Sequence, residues 1–233
     1  MSTVSKSFPQ EGVPAPSIPL LEQDVAGRSA LGIWLRIALA YGLLEAALWT
    51  PPGRLDLVWM ILTAAFILLM AFRGPYSRRD MGVTFPSGKA TIWIVGAGLI
   101  LAAMLWSCAA LTGANATPTH AMPLRTAWQY AIWAFLQQFM LQSFFFVRLE
   151  SLLGSRGAVL ATTILFAAAH VPNPILTIGS VFAGFFFCEM FRRYRNIFPL
   201  GVVHLILGLT MAASVSDTLL HHMRVGIGYL QFR

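Results

Sequence analysis

Long apolar runs, separated by short loops of proline, glycine and arginine, make up most of the chain after residue 30. Several of these runs reach the roughly 18–20 apolar residues that a helix needs to cross a bilayer. The pattern predicts seven spans, over residues 31–49, 55–72, 91–111, 124–147, 157–170, 175–191 and 197–214. The predicted fold class is therefore all-α, a polytopic transmembrane helical bundle.

The two ends of the chain do not fit this pattern. Residues 1–29 contain four prolines, mixed charges and no apolar core, which predicts a flexible cytoplasmic tail rather than a signal peptide. Residues 218–233 are too short and too polar to cross comfortably, so we expect them to form an interfacial or re-entrant segment. Residues 30–233 are expected to form a single transmembrane domain.

Charge supports a membrane location and gives the predicted orientation. Only 11% of the residues are charged, against about 25% in soluble domains, and the mean hydropathy is +0.69. The net charge of +7 comes mostly from basic residues in short loops, such as 73–89 and 192–195, which the positive-inside rule places in the cytoplasm. We therefore predict an integral protein of a bacterial inner membrane, with a cytoplasmic N-terminus, a lipid bilayer around it and no nucleic-acid partner.

The candidate functional residues are five polar side chains inside the apolar runs, namely Gln137, Gln138, Gln142, His170 and His204. An unpaired polar group in hydrocarbon costs several kcal/mol, so these side chains should face one another rather than lipid. Counted at about 1.5 Å per residue from the cytoplasmic loops, Gln138, His170 and His204 fall in one middle band of the membrane. The Pro-Asn-Pro sequence at residues 172–174 breaks the chain beside His170, which indicates a cavity there.

The other polar residues in the spans have simpler interpretations. Cys108 and Cys188 both lie inside predicted spans, which supports neither a disulfide nor a metal site. Glu189 is expected to pair with Arg192, three residues later, while Glu45 lies near the outer end of the first span, where it is hydrated or reaches a cavity. We predict no cofactor and no bound metal. Glutamine and histidine can also act only as links between helices, contributing under about 2 kcal/mol each.

The polar residues and their spacing resemble the CAAX-protease and bacteriocin-processing family, also called the Abi or type II CAAX prenyl endopeptidase family. Its members carry E-E-x-x-x-R, F-x-x-x-H and H-x-x-x-N in three spans. The matching positions here are Gln137-Gln138-x-x-x-Gln142, Phe166-x-x-x-His170 and His204-x-x-x-Gly208. The resemblance covers about residues 125–212 and includes the stretches RLESLLGSRGAVL, AHVPNP and YRNIFPLGVVH.

This resemblance implies an intramembrane endopeptidase that acts on membrane-associated or lipidated peptides. In the family, a glutamate activates the water that attacks the peptide carbonyl, the histidines assist, and the asparagine helps to hold the oxyanion. Glutamine has no basic oxygen at neutral pH, so the residues at the glutamate positions of this chain cannot take a proton from water. Three functions stay open: hydrolysis with His170 or His204 as the base, a non-catalytic relative that binds a membrane peptide, and a transporter with the polar band along its path.

Overall fold

The computed structural model describes residues 20–115 and 124–231, and every regular element within these two stretches is a helix. The long helices are α1 (Leu20–Trp49), α2 (Arg54–Phe72), α3 (Gly88–Thr112), α4 (Leu124–Gln138), α5 (Val147–Ala168), α6 (Pro174–Tyr194) and α7 (Phe198–Ser214). The remaining elements are a π-helical segment (Phe139–Phe146) between α4 and α5, then α8 (Asp217–Leu220), a 3₁₀ turn (His221–Met223) and α9 (Gly226–Leu230). The predicted all-α membrane fold is confirmed.

The number of membrane crossings differs from the predicted seven. In the described part of the chain, five helical segments are long and apolar enough to cross, or six if α7 and the elements bent by 119° behind it form one broken span. One of the five, residues 126–168, contains 43 residues and covers the predicted fourth and fifth spans. At about 1.5 Å per residue it is roughly 65 Å long, about twice the thickness of the hydrocarbon core. Its helix is interrupted at Gly154, where φ is 71° and ψ is 169°, inside the predicted loop between those two spans.

The boundary of the N-terminal tail also differs from the prediction. Helix α1 begins at Leu20, so residues 20–29, which were predicted to belong to the tail, are the first turns of this helix. Residues 1–19, the rest of the predicted tail, lie outside the described residues. The helix continues to Trp49, so the first predicted span, 31–49, is its C-terminal part.

The C-terminal elements fold back onto the chain break between α5 and α6. The backbone N–H of Gly226 donates to the carbonyl of Val171 at 2.9 Å, and Nδ2 of Asn173 donates to the carbonyl of Leu220 at 2.9 Å. Asn173 also caps α6, because its Oδ1 accepts a hydrogen bond from the N–H of Leu176 at 3.1 Å. These contacts hold the C-terminal segment against the chain break, and its interfacial or re-entrant position in the membrane stays a prediction.

The core lies where the π-helical segment meets α5, α6 and α7. The largest fully buried apolar side chains there are those of Phe144, Phe146, Leu149, Phe187, Phe191 and Leu200. Many large apolar side chains on the outer faces of the helices are exposed instead, including those of Ile61, Trp93 and Phe182. This distribution is expected for a bundle whose outer surface contacts lipid. Helix α4 packs against α7, and α5 packs against α6, which brings the predicted polar residues together.

Candidate intramembrane site

Three of the five predicted residues form a hydrogen-bonded chain where α4 contacts α7. Gln138, the last residue of α4, places its Nε2 3.1 Å from Nδ1 of His204 on α7. Gln142, four residues further on in the π-helical segment, donates from its Nε2 to Oε1 of Gln138 at 3.4 Å. Both glutamines are fully buried, and His204 is 7% exposed. These polar groups therefore face one another rather than lipid.

The direction of these hydrogen bonds determines which ring nitrogen of His204 carries the proton. The amide oxygen of Gln138 accepts from Gln142, so the amide nitrogen of Gln138 is the atom that donates to His204. Nδ1 of His204 therefore accepts, and in the neutral imidazole the proton is on Nε2. Nε2 of Gln142 also lies 3.8 Å from Sγ of Cys188, while its Oε1 is buried without a hydrogen-bond partner among the described residues. The outcome is a neutral site in which His204 offers a hydrogen-bond donor.

His170 has the opposite hydrogen-bonding character. Its Nδ1 lies 2.7 Å from the carbonyl oxygen of Phe166, one turn earlier on α5. A carbonyl oxygen only accepts, so Nδ1 carries the proton and Nε2 keeps a free lone pair. The residue is half-buried and lies just past the end of α5, beside the chain break at residues 172–174. A neutral imidazole with a free Nε2 is a group that can take a proton from water.

Phe166 contacts the rings of both histidines, and Phe187 contacts the ring of His204. The centroid of the Phe166 ring is 4.8 Å from that of His170 and 5.8 Å from that of His204, with edge-to-face geometry in both pairs. Phe187 on α6 stacks against His204 with the centroids 5.2 Å apart. The F-x-x-x-H spacing places His170 one turn after Phe166, which explains why the phenyl ring reaches that imidazole.

Two cavities, of about 450 Å³ and 480 Å³, share these rings as part of their walls. Tyr130, Phe166, His170 and His204 line both of them. The first cavity extends between α1, α4 and the C-terminal segment, and the second extends between α3, α6 and α7. Gln137 lines only the first cavity. The sizes fall in the roughly 300–1,000 Å³ range of ligand pockets.

No carboxylate among the described residues forms a hydrogen bond or an ion pair with His170 or His204. Glu189 lines the second cavity, but its Oε1 is held by Arg192 at 2.7 Å and by Arg193 at 2.6 Å. The expected pairing of Glu189 with Arg192 is thus present in the structure. Within the described stretches, no three His, Cys, Asp or Glu side chains come together as a metal-binding group.

Tyr130 is a cavity residue that the sequence pattern did not indicate. It lines both cavities from α4, and the centroid of its ring is 6.4 Å from that of His204, in an edge-to-face arrangement. The spacing contained a usable signal, because Tyr130, Ala134 and Gln138 are separated by four residues and share one face of α4. A tyrosine near the end of a predicted span is ordinarily interpreted as a residue of the membrane interface, so the spacing alone did not identify Tyr130 as a cavity residue.

The fold and the buried polar residues together define a polytopic membrane protein with an internal polar site. Residues 119–210 match the family model described as Rce1-like, type II CAAX prenyl endopeptidase Rce1-like. This match confirms the resemblance seen in the three motifs, and residues 119–210 are similar to the domain of that CAAX prenyl endopeptidase family. The matched stretch contains all five predicted site residues. Comparisons with curated proteins and with solved structures found no match.

Proposed function

We propose that this protein is an intramembrane endopeptidase of the family, acting on membrane-associated or lipidated peptides through a site based on histidine. The observation that carries the proposal is the pair of neutral imidazoles with opposite hydrogen-bonding character on the shared wall of two cavities. His170 offers a free Nε2, and His204 offers an Nε2–H. One group that takes a proton and one that donates a hydrogen bond are the minimum that amide hydrolysis requires.

In the proposed reaction, Nε2 of His170 takes a proton from a water molecule as the water oxygen attacks the carbonyl carbon of the peptide. The electron pair of the C=O double bond moves to the oxygen, which receives a hydrogen bond from Nε2–H of His204. The electron pair on the oxygen then re-forms the C=O bond, the C–N bond breaks with its pair going to nitrogen, and the proton on His170 passes to the leaving amine. The buried glutamines take no part in proton transfer, because an amide is neither a base nor an acid at neutral pH. Their role is to hold His204 in the required tautomer.

The two cavities support a membrane-associated peptide as the substrate. The walls of both are mostly apolar, and the shared wall carries the polar groups of Tyr130, His170 and His204. The second cavity lies among exposed apolar side chains of α6, such as Phe182 and Phe185, whose outer faces contact lipid. A peptide with an embedded or lipidated segment could therefore enter from the bilayer and present a backbone carbonyl to the histidines.

A non-catalytic relative that binds the same peptide is the second candidate. The observation that favours it is the missing carboxylate, because glutamine occupies both glutamate positions of the motif. The side-chain amide of Gln138 is also hydrogen-bonded to His204. Such a protein would bind the peptide with the same cavities and release it unchanged.

Cleavage of membrane-anchored peptides in liposomes separates the two candidates. We expect the wild type to cleave and His170→Ala to lose activity by roughly 10²–10⁴-fold, the usual contribution of a general base. The matched control is His221→Ala, a histidine outside the walls of both cavities, which should cleave as the wild type does. A silent wild type, combined with a gain of activity when Gln137, Gln138 and Gln142 are changed to Glu, Glu and Arg, would instead identify a binding relative on a protease scaffold.

A further inference from the structure

The space beside Gly208 is filled by a tyrosine hydroxyl. Gly208 lies one helical turn after His204 on α7, at the position where the family resemblance leads us to expect an asparagine. A Cβ atom built on Gly208 would overlap the Oη and Cζ atoms of Tyr130. No side chain larger than hydrogen fits at residue 208 while Tyr130 keeps its position. The hydroxyl group therefore occupies the place from which a side chain on α7 would otherwise reach the site.

The Tyr130 hydroxyl is available for a ligand. It forms no hydrogen bond with any described residue, whereas the hydroxyl of Tyr41, which also lines the first cavity, donates to the carbonyl of Leu165 at 3.3 Å. Tyr130, His170 and His204 all line both cavities, and the Tyr130 hydroxyl lies against Gly208, which lines the second. A tyrosine hydroxyl at a buried site ordinarily finds a partner. A free one on a cavity wall is expected to find that partner in the ligand.

We infer that the Tyr130 hydroxyl is a catalytic hydrogen-bond donor, which stabilises the negative charge that develops on the carbonyl oxygen of the peptide. This inference rests on the proposed function, and Tyr130 supplies the donor that the family resemblance would assign to an asparagine at residue 208 and that Gly208 cannot provide. The oxyanion receives two hydrogen bonds, one from Nε2–H of His204 and one from Oη–H of Tyr130. No proton is transferred to the oxygen, and no bond of Tyr130 forms or breaks.

The positions on the two helices support a shared role for these donors. Gln138 and Tyr130 lie two turns apart on one face of α4, and His204 and Gly208 lie one turn apart on one face of α7. Gln138 contacts His204, and Tyr130 contacts Gly208, so the same helix pair positions both donors. The Tyr130 ring is also held edge-to-face against His204, which limits its rotation. Donors fixed in advance stabilise an oxyanion without reorganisation.

Tyr130→Phe is the direct test, because it removes the hydroxyl oxygen and keeps the ring against His204. We expect kcat for peptide cleavage to fall by roughly 10²–10³-fold with KM little changed, as when one oxyanion donor is removed elsewhere. The matched control is Tyr194→Phe, an exposed tyrosine at the end of α6, which should keep the wild-type kcat. Thermal unfolding of each variant shows whether it is folded.

A binding measurement tests the same donor without turnover. A peptide phosphonate carries a tetrahedral anionic group that resembles the intermediate, and the matched amide peptide does not. Tyr130→Phe should weaken phosphonate binding by about tenfold or more and leave amide binding unchanged. Equal weakening of both ligands would show that Tyr130 only packs, and would overturn the inference.

The outcomes separate this inference from the proposed function. If the wild type cleaves, His170→Ala does not, and Tyr130→Phe keeps the full kcat, the proposed function stands and the inference is wrong. If the wild type does not cleave, or His170→Ala cleaves equally well, the proposed function fails. In that case the phosphonate preference alone decides whether Tyr130 is an anion donor.

Discussion

At the scale of single residues, the glutamines at the motif positions form a mutually consistent set. Gln138 and Gln142 are fully buried, and an isolated carboxylate at either position would carry a large desolvation cost. As amides they donate along one line, from Gln142 to Gln138 and from Gln138 to His204. The site is therefore neutral as a whole, and hydrogen bonds rather than charges assign the donor and acceptor roles of its histidines.

The contact between Gly208 and Tyr130 gives a stability prediction. Gly208→Ala should lower the free energy of unfolding by about 1–3 kcal/mol, because the added methyl group overlaps the Tyr130 hydroxyl. In a Tyr130→Ala background the same change should cost little, since the space is then open. Thermal unfolding of the four proteins in detergent measures this coupling. Gly96→Ala is the matched control, because a Cβ there meets open space and should be neutral or stabilising. The same loss from Gly208→Ala in both backgrounds would contradict the prediction.

At the scale of the helices, the hydropathy pattern predicted where the elements lie but not how each one is wound. The second and sixth spans, predicted at 55–72 and 175–191, correspond closely to α2 and α6. The segment Phe139–Phe146, in contrast, is π-helical, and the N–H of Val147 bonds to the carbonyl of Gln142, five residues back. Residues 141–149 are all buried, so no polar face marks the periodicity of this stretch and its winding could not be predicted.

Arg148 fastens the start of α5 to two neighbouring elements. Arg148 directly follows the predicted fourth span, 124–147, but its side chain is only 2% exposed. Its guanidinium donates to the carbonyl of Met70 on α2 at 2.6 Å and to that of Phe144 at 3.0 Å. It also lies over the Phe144 ring, 3.9 Å from the centroid. One cation therefore satisfies carbonyls from two elements without a carboxylate partner among the described residues.

Removing this cation should destabilise the bundle. We expect Arg148→Met, which keeps the apolar stem, to lower the free energy of unfolding by about 2–4 kcal/mol, because two hydrogen bonds from a charged group are lost. Arg156→Met, at an exposed position eight residues later, should change the free energy by no more than about 0.5 kcal/mol. Chemical denaturation followed by tryptophan fluorescence compares the two variants. A similar small effect at both positions would mean that the Arg148 contacts contribute nothing to stability.

At the scale of the whole molecule, the sequence predicted which side chains would meet but not everything around them. His204 and Gln138 could be expected in one group of polar side chains, because polar groups in hydrocarbon must find one another. The positions of Tyr130 and of the C-terminal segment could not be predicted, because they depend on how α4 packs against α7 and on how the residues after 214 turn back. The hydropathy of a residue indicates whether its side chain is buried, but not which helix that side chain contacts.

The orientation of the bundle is tested most simply across one helix. Helix α3 has 25 residues, about 37 Å of helix, and joins the basic loop before it to the loop after Thr112. Ser87 and Asn115 flank this helix, and both are exposed.

In a background with Cys108 and Cys188 replaced by alanine, we expect a membrane-impermeant maleimide to label Asn115→Cys in intact cells and Ser87→Cys only after permeabilisation. The physical reason is the clustering of basic residues before α3, which the positive-inside rule holds in the cytoplasm. The reverse labelling pattern would invert the proposed orientation, and labelling of both cysteines from outside would mean that α3 does not cross the membrane.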